Sequence, residues 1–237
     1  VDQLDAAIGP ETAAIHYLAP GDRNAGALPI ETVIEVGHAH DVPIIVDAAG
    51  QVYPTDLLSS YVKMGADLVA YGAKYFGAVN SSGMLTGRKD LVDIARTHSF
   101  IGFEDSGLRS FGRPMKVDRQ EVVAVYGALR EWLTMNHEDR FAAYEIRISS
   151  LRSDLAGIDG VKLSDYPSDG PAEGLFIEVD ADVVGKTAAE VIEELRKGNP
   201  SIWVREHQDD NGLAVRMLTL KQDSEEIIAR RLREIFS

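Results

Sequence analysis

Apolar positions change their period repeatedly along the first third of the chain, and each change marks a new element. Thr12-Ala-Ala-Ile-His-Tyr-Leu18 is a short apolar run closed by Pro20 and Gly21. From Pro29 to His40 the spacing becomes helical: Ile30, Val33, Ile34 and Gly37 fall on one face, and Pro29 suits a first helical turn. Pro43-Ile-Ile-Val-Asp47 is a continuous apolar run ended by a carboxylate, the pattern of a strand buried on both faces of a parallel sheet. Leu57 to Met64 predicts a second helix stopped by Gly65, and Asp67-Leu-Val-Ala-Tyr71 predicts the next strand. A Gly- and Ser-rich stretch follows from Gly72 to Gly87. This strand–helix–strand rhythm predicts an α/β unit, with right-handed crossovers and a parallel sheet covered by helices.

Beyond Arg88 the pattern is mostly helical. Helices are expected over Arg88–His98 and over Asp118–Met135, where Val122, Val125, Tyr126, Leu129, Trp132 and Leu133 recur at spacings of three and four. Helical character continues over His137–Leu155, which carries Phe141, Tyr144, Ile148 and Leu151. Short strands are expected at Val161–Leu163 and Leu175–Val179, then a helix over Thr187–Lys197. Strands at Ile202–Arg205 and Leu213–Leu218 and a helix over Ser224–Phe236 complete a small α+β domain.

Composition narrows the classes. A chain of 237 residues with 45% hydrophobic content buries a substantial core as one large domain or two small ones. No apolar run approaches the roughly 18–20 residues of a membrane span, so no membrane partner is expected. The absence of cysteine excludes disulfides, zinc–thiolate sites and thiol catalysis, agrees with a cytoplasmic setting, and no metal is implied. The net charge of −14 is spread along the chain and argues against a nucleic-acid groove, which needs clustered Lys and Arg. The chain opens on Val1, with no leader-like segment, and reads as if cut from a longer protein or processed.

Two strand ends carry the candidate chemistry. In open parallel sheets ligands bind outside the carboxyl ends of strands. Asp47 ends one strand, and Lys74 lies three residues past the end of the next, among Gly72, Ala73 and Gly77, which are too small to cover it. An aspartate behind Ile44, Ile45 and Val46 is costly unless it meets a cation or a donor. Pyridoxal phosphate (PLP) needs such a pair: an amine to form the Schiff base and a carboxylate to keep the pyridine nitrogen protonated. Each residue alone has an ordinary reading, a lysine after a strand and an aspartate as a turn or cap residue. On the residues alone, the PLP reading and the ordinary one weigh evenly.

Val46-Asp-Ala-Ala-Gly-Gln51, Gly72-Ala-Lys-Tyr-Phe-Gly77, Asn80-Ser-Ser-Gly83 and Gly112-Arg-Pro-Met-Lys-Val-Asp118 occur in this order, with Glu225-Glu-Ile-Ile-Ala-Arg-Arg-Leu232 near the end. This ordered set resembles the PLP enzymes related to bacterial selenocysteine synthase (L-seryl-tRNA selenium transferase) and D-glucosaminate-6-phosphate ammonia-lyase, over essentially the whole chain. The resemblance implies an aspartate-aminotransferase-like fold of type I. Residues 1–117 would form the C-terminal part of its PLP domain, 118–157 connecting helices and 158–237 the small domain. It also implies a homodimer or higher assembly.

By the same resemblance, Lys74 looks like the internal-aldimine lysine and Asp47 like the partner of the pyridine nitrogen. Ala49 matches the small residue packed on the ring, and Gln51 reaches toward its phenolic oxygen. Arg113 and Lys116 match basic residues that line the active site; a solvated turn before the Asp118 helix is an equal reading. Arg216 matches an arginine that binds the substrate carboxylate, against the weightier reading of a surface strand position.

Two departures from the family pattern stand out. Ala73 stands where selenium transferases carry an acid, which with the acidic balance argues against a tRNA substrate. The segment that grips the cofactor phosphate in the family would precede Val1. The expected function is a PLP-dependent lyase or transferase acting on a small amino acid, amino-sugar acid or hydroxy-amino acid, with elimination of a β-substituent as the favoured outcome. The rival is a non-catalytic fragment or structural partner of a full-length subunit. A nucleotide-binding module is weaker, because no glycine-rich phosphate motif follows a strand.

Overall fold

A computed structural model of the chain describes residues 1–20, 26–106, 109–168, 170–207 and 211–237. Gly21, taken with Pro20 as the end of the first apolar run, lies outside them. The chain divides into two compact units, Val1–Met135 and Asn136–Ser237.

Among the described residues the first unit runs α1 (Asp2–Ala7), β1 (Ile15–Leu18), α2 (Ile30–Ala39), β2 (Ile44–Asp47), α3 (Leu57–Met64), β3 (Leu68–Gly72), a 3-10 turn (Ala73–Phe76), β4 (Gly83–Gly87), α4 (Lys89–Thr97), α5 (Phe100–Ser106) and α6 (Arg119–Thr134). The sheet order is β1-β2-β3-β4. β1, β2 and β3 are parallel, as the crossover rhythm requires, and α2 and α3 cover the sheet with Ile30, Val33, Ile34 and Tyr61 against Ile44, Val46 and Val69. Each such aliphatic side chain, fully buried, stabilises the unit by about 1.5–3 kcal/mol.

The sheet is mixed rather than purely parallel. β4 pairs antiparallel with β3, Leu68 opposite Gly87 and Gly72 opposite Gly83. The sequence pattern hides this strand because glycines begin and end it. Gly87 has φ +139°, and a Cβ there would stand 2.1 Å from the Asp67 carbonyl oxygen. Close backbone approach, not a loop, explains that glycine.

α6 also differs from its expected face. Asp118 and Glu121 form a capping box at its start, and Trp132 is buried, its indole N–H donating to the Val52 carbonyl at 2.9 Å. Val125 and Leu129 pack beside it, while Val122, Tyr126 and Leu133 are at the surface. A 3.6-residue period fixes which residues share a face, not how wide the covered stripe is.

At the amino ends of β2 and β3, Asp67 is almost fully buried. One of its oxygens accepts from the Ile44 amide at 2.8 Å and meets His38 Nε2 at 2.9 Å; the other accepts from Arg88 at 2.9 Å. Burial alone pushes this carboxyl up, but the Ile44 amide, His38 and Arg88 outweigh it and hold its pKa below the ordinary 3.8. The folded state therefore favours the carboxylate, so the stabilisation is complete above the ordinary value and is lost as pH falls through the lower folded one. Asp67→Asn should lower stability at neutral pH by about 2–3 kcal/mol. It should also flatten the acid limb of the unfolding free energy, measured by urea titration at a series of pH values.

The second unit holds α7 (His137–Leu155), β5 (Val161–Tyr166), β6 (Gly174–Val179), α8 (Ala181–Val184), α9 (Ala188–Lys197), β7 (Arg205–His207), β8 (Gly212–Arg216) and α10 (Ser224–Phe236). Its sheet is antiparallel in the order β5-β6-β8-β7. Ile148, Leu151, Leu155, Val191, Leu195, Ile228 and Leu232 bury one face of it with Leu175, Ile177, Leu213 and Val215. Arg147 and Glu225 form a bidentate, largely buried pair between α7 and α10. The strand expected at Ile202–Arg205 lies later, at Arg205–His207. Ile202 is instead buried, and its amide donates to the Leu195 carbonyl at the end of α9, leaving it unavailable to a ladder. The stretch 118–157 is thus divided: α6 belongs to the first unit and α7 to the second.

Candidate active site

Because β1, β2 and β3 are parallel, Leu18, Asp47 and Gly72 end their strands on one edge. The chain leaving β2 stays on that edge: the Ala48 amide donates to Ala70, and the Gly72 amide donates to the Ala49 carbonyl at 3.0 Å. Asp47 and the turn that carries Lys74 are therefore held at neighbouring strand ends by backbone bonds. Local sequence makes this possible, since Ala48, Ala49, Gly50, Gly72 and Ala73 are all small.

Asp47 is half-buried, with one carboxylate oxygen accepting from the Ala49 amide at 3.0 Å. Its second oxygen has no partner among the described residues. Ala49 is half-buried, and its carbonyl ties to β3. Gln51 is half-buried, with its amide donating to the Ala48 carbonyl at 2.8 Å. Lys74 is exposed and meets no carboxylate among the described residues; its Nζ stands 5.2 Å from the centre of the Tyr75 ring. Tyr75 has a role the sequence reading did not give it. A Cβ on Gly72 would stand 3.0 Å from this ring and 3.3 Å from the Ala49 carbonyl oxygen, so a larger residue there would press on the ring. The aromatic residue inside Gly72-Ala-Lys-Tyr-Phe-Gly77 was the available signal. Tyr71, buried, donates its hydroxyl to the Leu57 carbonyl, and burial with Tyr61 nearby pushes its pKa up to about 12, so it does not move protons near neutrality.

The other predicted cations lie in two places. Arg113 stacks over Phe103 at 4.4 Å and near Phe100 at 5.5 Å, and Lys116 Nζ stands 5.3 Å from the Phe100 ring. Lys116 also lines a cavity of about 350 Å³ with Ser81, Ser82, Glu121 and Val125. That cavity adjoins the Lys74 turn, because the Ala73 amide donates to the Ser82 carbonyl at 3.0 Å. Arg216 ends β8 in the second unit, where it donates to Glu173 at 2.9 Å and stands 5.9 Å from the Tyr166 ring. It is thus an ion-paired strand-end residue. A wider cavity of about 640 Å³, lined by His38, Asp41, Asp67 and Arg88, lies at the opposite end of the sheet and holds none of the predicted residues. Ligands of open α/β sheets sit at the carboxyl ends, so the Asp47–Lys74 edge is the candidate site.

No family model matches the chain. It is 34% identical over 236 residues to a 5'-C-glycyluridine monooxygenase-decarboxylase from Streptomyces, covering 97% of this chain and 56% of that protein. It is 28% identical over 239 residues to the D-glucosaminate-6-phosphate ammonia lyase of Salmonella typhimurium, covering 98% and 60%. A solved structure of a D-glucosaminate-6-phosphate ammonia-lyase superposes with a TM-score of 0.71 at 28% identity, over 99% of this chain and 60% of that one. A serine palmitoyltransferase from S. paucimobilis, solved with a bound PLP–myriocin aldimine, shares the fold at 14% identity and a TM-score of 0.56, over 99% and 57%. The chain has the type I fold of PLP enzymes. It spans 56–60% of the length of these relatives.

The residues of the site fit that cofactor. The second carboxylate oxygen of Asp47 and the Lys74 amine, neither with an ionic partner among the described residues, stand at adjoining strand ends. The small residues between them place no bulky side chain over the strand ends, and the Tyr75 ring lies beside Gly50 and Gly72. No helix among the described residues is long and apolar enough to cross a membrane.

Proposed function

We propose that this chain anchors PLP in a lyase or transferase that acts on a small amino acid, amino-sugar acid or hydroxy-amino acid. The observation that carries this reading is the pairing of Asp47 and Lys74 on one edge of the sheet, joined through the Ala48–Ala70 and Gly72–Ala49 backbone bonds. Bound PLP supplies an electron sink for charge developing at the substrate's α-carbon. Lys74 supplies the amine that holds the cofactor covalently and then the base that moves the α-proton. Asp47 would offer its second oxygen to the protonated ring nitrogen, with the Ala49 amide orienting the carboxylate. Ala49 would pack on the ring and Gln51 would face its phenolic oxygen. Lys116 and Arg113 would face the substrate, and Arg216, ion-paired with Glu173 in the second unit, keeps its proposed role toward a substrate carboxylate.

The names of the two curated relatives, a decarboxylase and an ammonia lyase, support bond cleavage at or next to the amino-bearing carbon. Elimination of a β-substituent is the favoured outcome. The direct test is borohydride reduction of the chain incubated with PLP, followed by peptide mapping. The pyridoxyl group is expected on the peptide containing Lys74; an adduct elsewhere, with Lys74 unmodified, would overturn the assignment.

A further inference from the structure

The cavity beside the Lys74 turn has walls of distinct chemistry. Val117, Val122 and Val125 are apolar, Ser81 and Ser82 are polar, and Lys116 and Glu121 are charged. Glu121 is fixed in place. One of its oxygens accepts from the Ser81 hydroxyl at 2.8 Å and the other from the Asp118 amide at 3.1 Å. These bonds, the Asp118 amide first and Ser81 second, hold its carboxyl below the usual glutamate value, so it stays ionised. Lys116, in contrast, is exposed and rests near Phe100 with no carboxylate partner among the described residues, where water screens its charge.

The capping box sets two carboxylates, Asp118 and Glu121, at the start of α6, where they take up the Glu121 and Asp118 amides. A phosphate or carboxylate entering this cavity would face a fixed negative charge, balanced by one screened ammonium, in a chain of net charge −14. A neutral group that both donates and accepts meets no such penalty. A carboxylate has about four lone-pair sites, and Glu121 uses two, so it can still accept from an incoming N–H or O–H. Lys116 can donate to an incoming oxygen, and the valines cover an apolar stem.

We propose that this cavity receives the distal end of the substrate, and that Glu121, with Ser81 and Lys116, selects an uncharged amide, imide or hydroxylated group over a phosphate or carboxylate. The assignment to a substrate rests on the PLP reading above; the selectivity of the cavity does not.

The test uses probes that need no cofactor. Propionamide, propionate and ethyl phosphate are titrated into the 237-residue chain, and the backbone amide signals of Gly83 and Val122 are followed by NMR. Propionamide should half-saturate the shifts at a concentration about tenfold lower than either anion, a difference of about 1.4 kcal/mol. Glu121→Gln should remove that preference. Ser81→Ala, which keeps the cap of α6, should weaken propionamide binding without making ethyl phosphate the better probe. Equal or tighter binding of an anion to the parent chain overturns the proposal. So does a failure of all three probes to move these signals, or an unchanged preference in Glu121→Gln. If the borohydride experiment finds no adduct on Lys74 while the probes behave as expected, the PLP reading fails and the cavity's selectivity stands.

Discussion

Lys74→Ala should leave no pyridoxyl group fixed by borohydride and should slow exchange of the α-proton of a bound small amino acid by about 10²–10⁴-fold, the usual contribution of one positioned acid–base group. The structure separates this effect from misfolding. Lys74 is exposed on a short 3-10 turn, and its backbone bonds, such as Gly77 N–H to the Lys74 carbonyl, do not depend on its side chain. Exposed substitutions of this kind change stability by about 0.5 kcal/mol or less. Thermal unfolding should therefore match the parent. Exchange is measured by loss of the α-proton NMR signal in deuterated water, which needs no knowledge of the final product. A variant that exchanges at the parent rate would remove Lys74 from the mechanism.

Asp47→Ala should produce a different pattern. Covalent capture through Lys74 remains, so the amount of PLP fixed by borohydride should fall only modestly. Proton exchange should fall steeply, because the ring nitrogen loses the carboxylate that keeps it protonated. Removing one partner of a buried charge pair costs about 3–5 kcal/mol, which at 1.4 kcal/mol per tenfold is roughly 10²–10⁴ in rate. Asp47 is half-buried, so the lower half of that range is expected. Asp47→Asn keeps an acceptor for the Ala49 amide, which the parent carboxylate meets at 3.0 Å, and so keeps the local turn. It should nonetheless exchange slowly, because a neutral amide holds the proton on the ring far less firmly. If Asp47→Asn matches the parent, the carboxylate serves the turn and not the ring.

Much of the first unit could be read from residues because its signals are local. Ile30, Val33, Ile34 and Gly37 share a face by helical geometry alone, and the same four residues are buried on α2. Leu57–Met64 and Gly65 mark α3 and its left-handed stop at φ +111°. Pro43–Asp47 announces a two-sided buried strand; β2 forms there, between β1 and β3, but only Ile44 and Val46 are fully buried, while Ile45 and Asp47 on the other face are half-buried. A strand that carries glycine to let backbones touch has no such signature. β4 is set by Gly83 and Gly87 meeting the carbonyls of Tyr71 and Asp67, contacts that exist only once β3 is in place.

The candidate site divides along the same line. Asp47 and Lys74 are visible in sequence because small residues and apolar runs frame them, and a parallel sheet puts consecutive strand ends on one edge. Three features depend on groups far apart in sequence. The Tyr75 ring lies close to the distant Gly50, where a Cβ would meet it at 3.8 Å, as well as to Gly72. Glu121 reaches Ser81 across 40 residues. Arg216 is tied to Glu173, a pairing 43 residues apart that no periodicity encodes. Hydrophobic period and turn chemistry are properties of neighbouring residues and so marked most of the elements in order and the place of the candidate pair. Hydrogen-bond partners and cavity walls arise from strands and helices meeting in space, so only the tertiary structure decided what surrounds that pair.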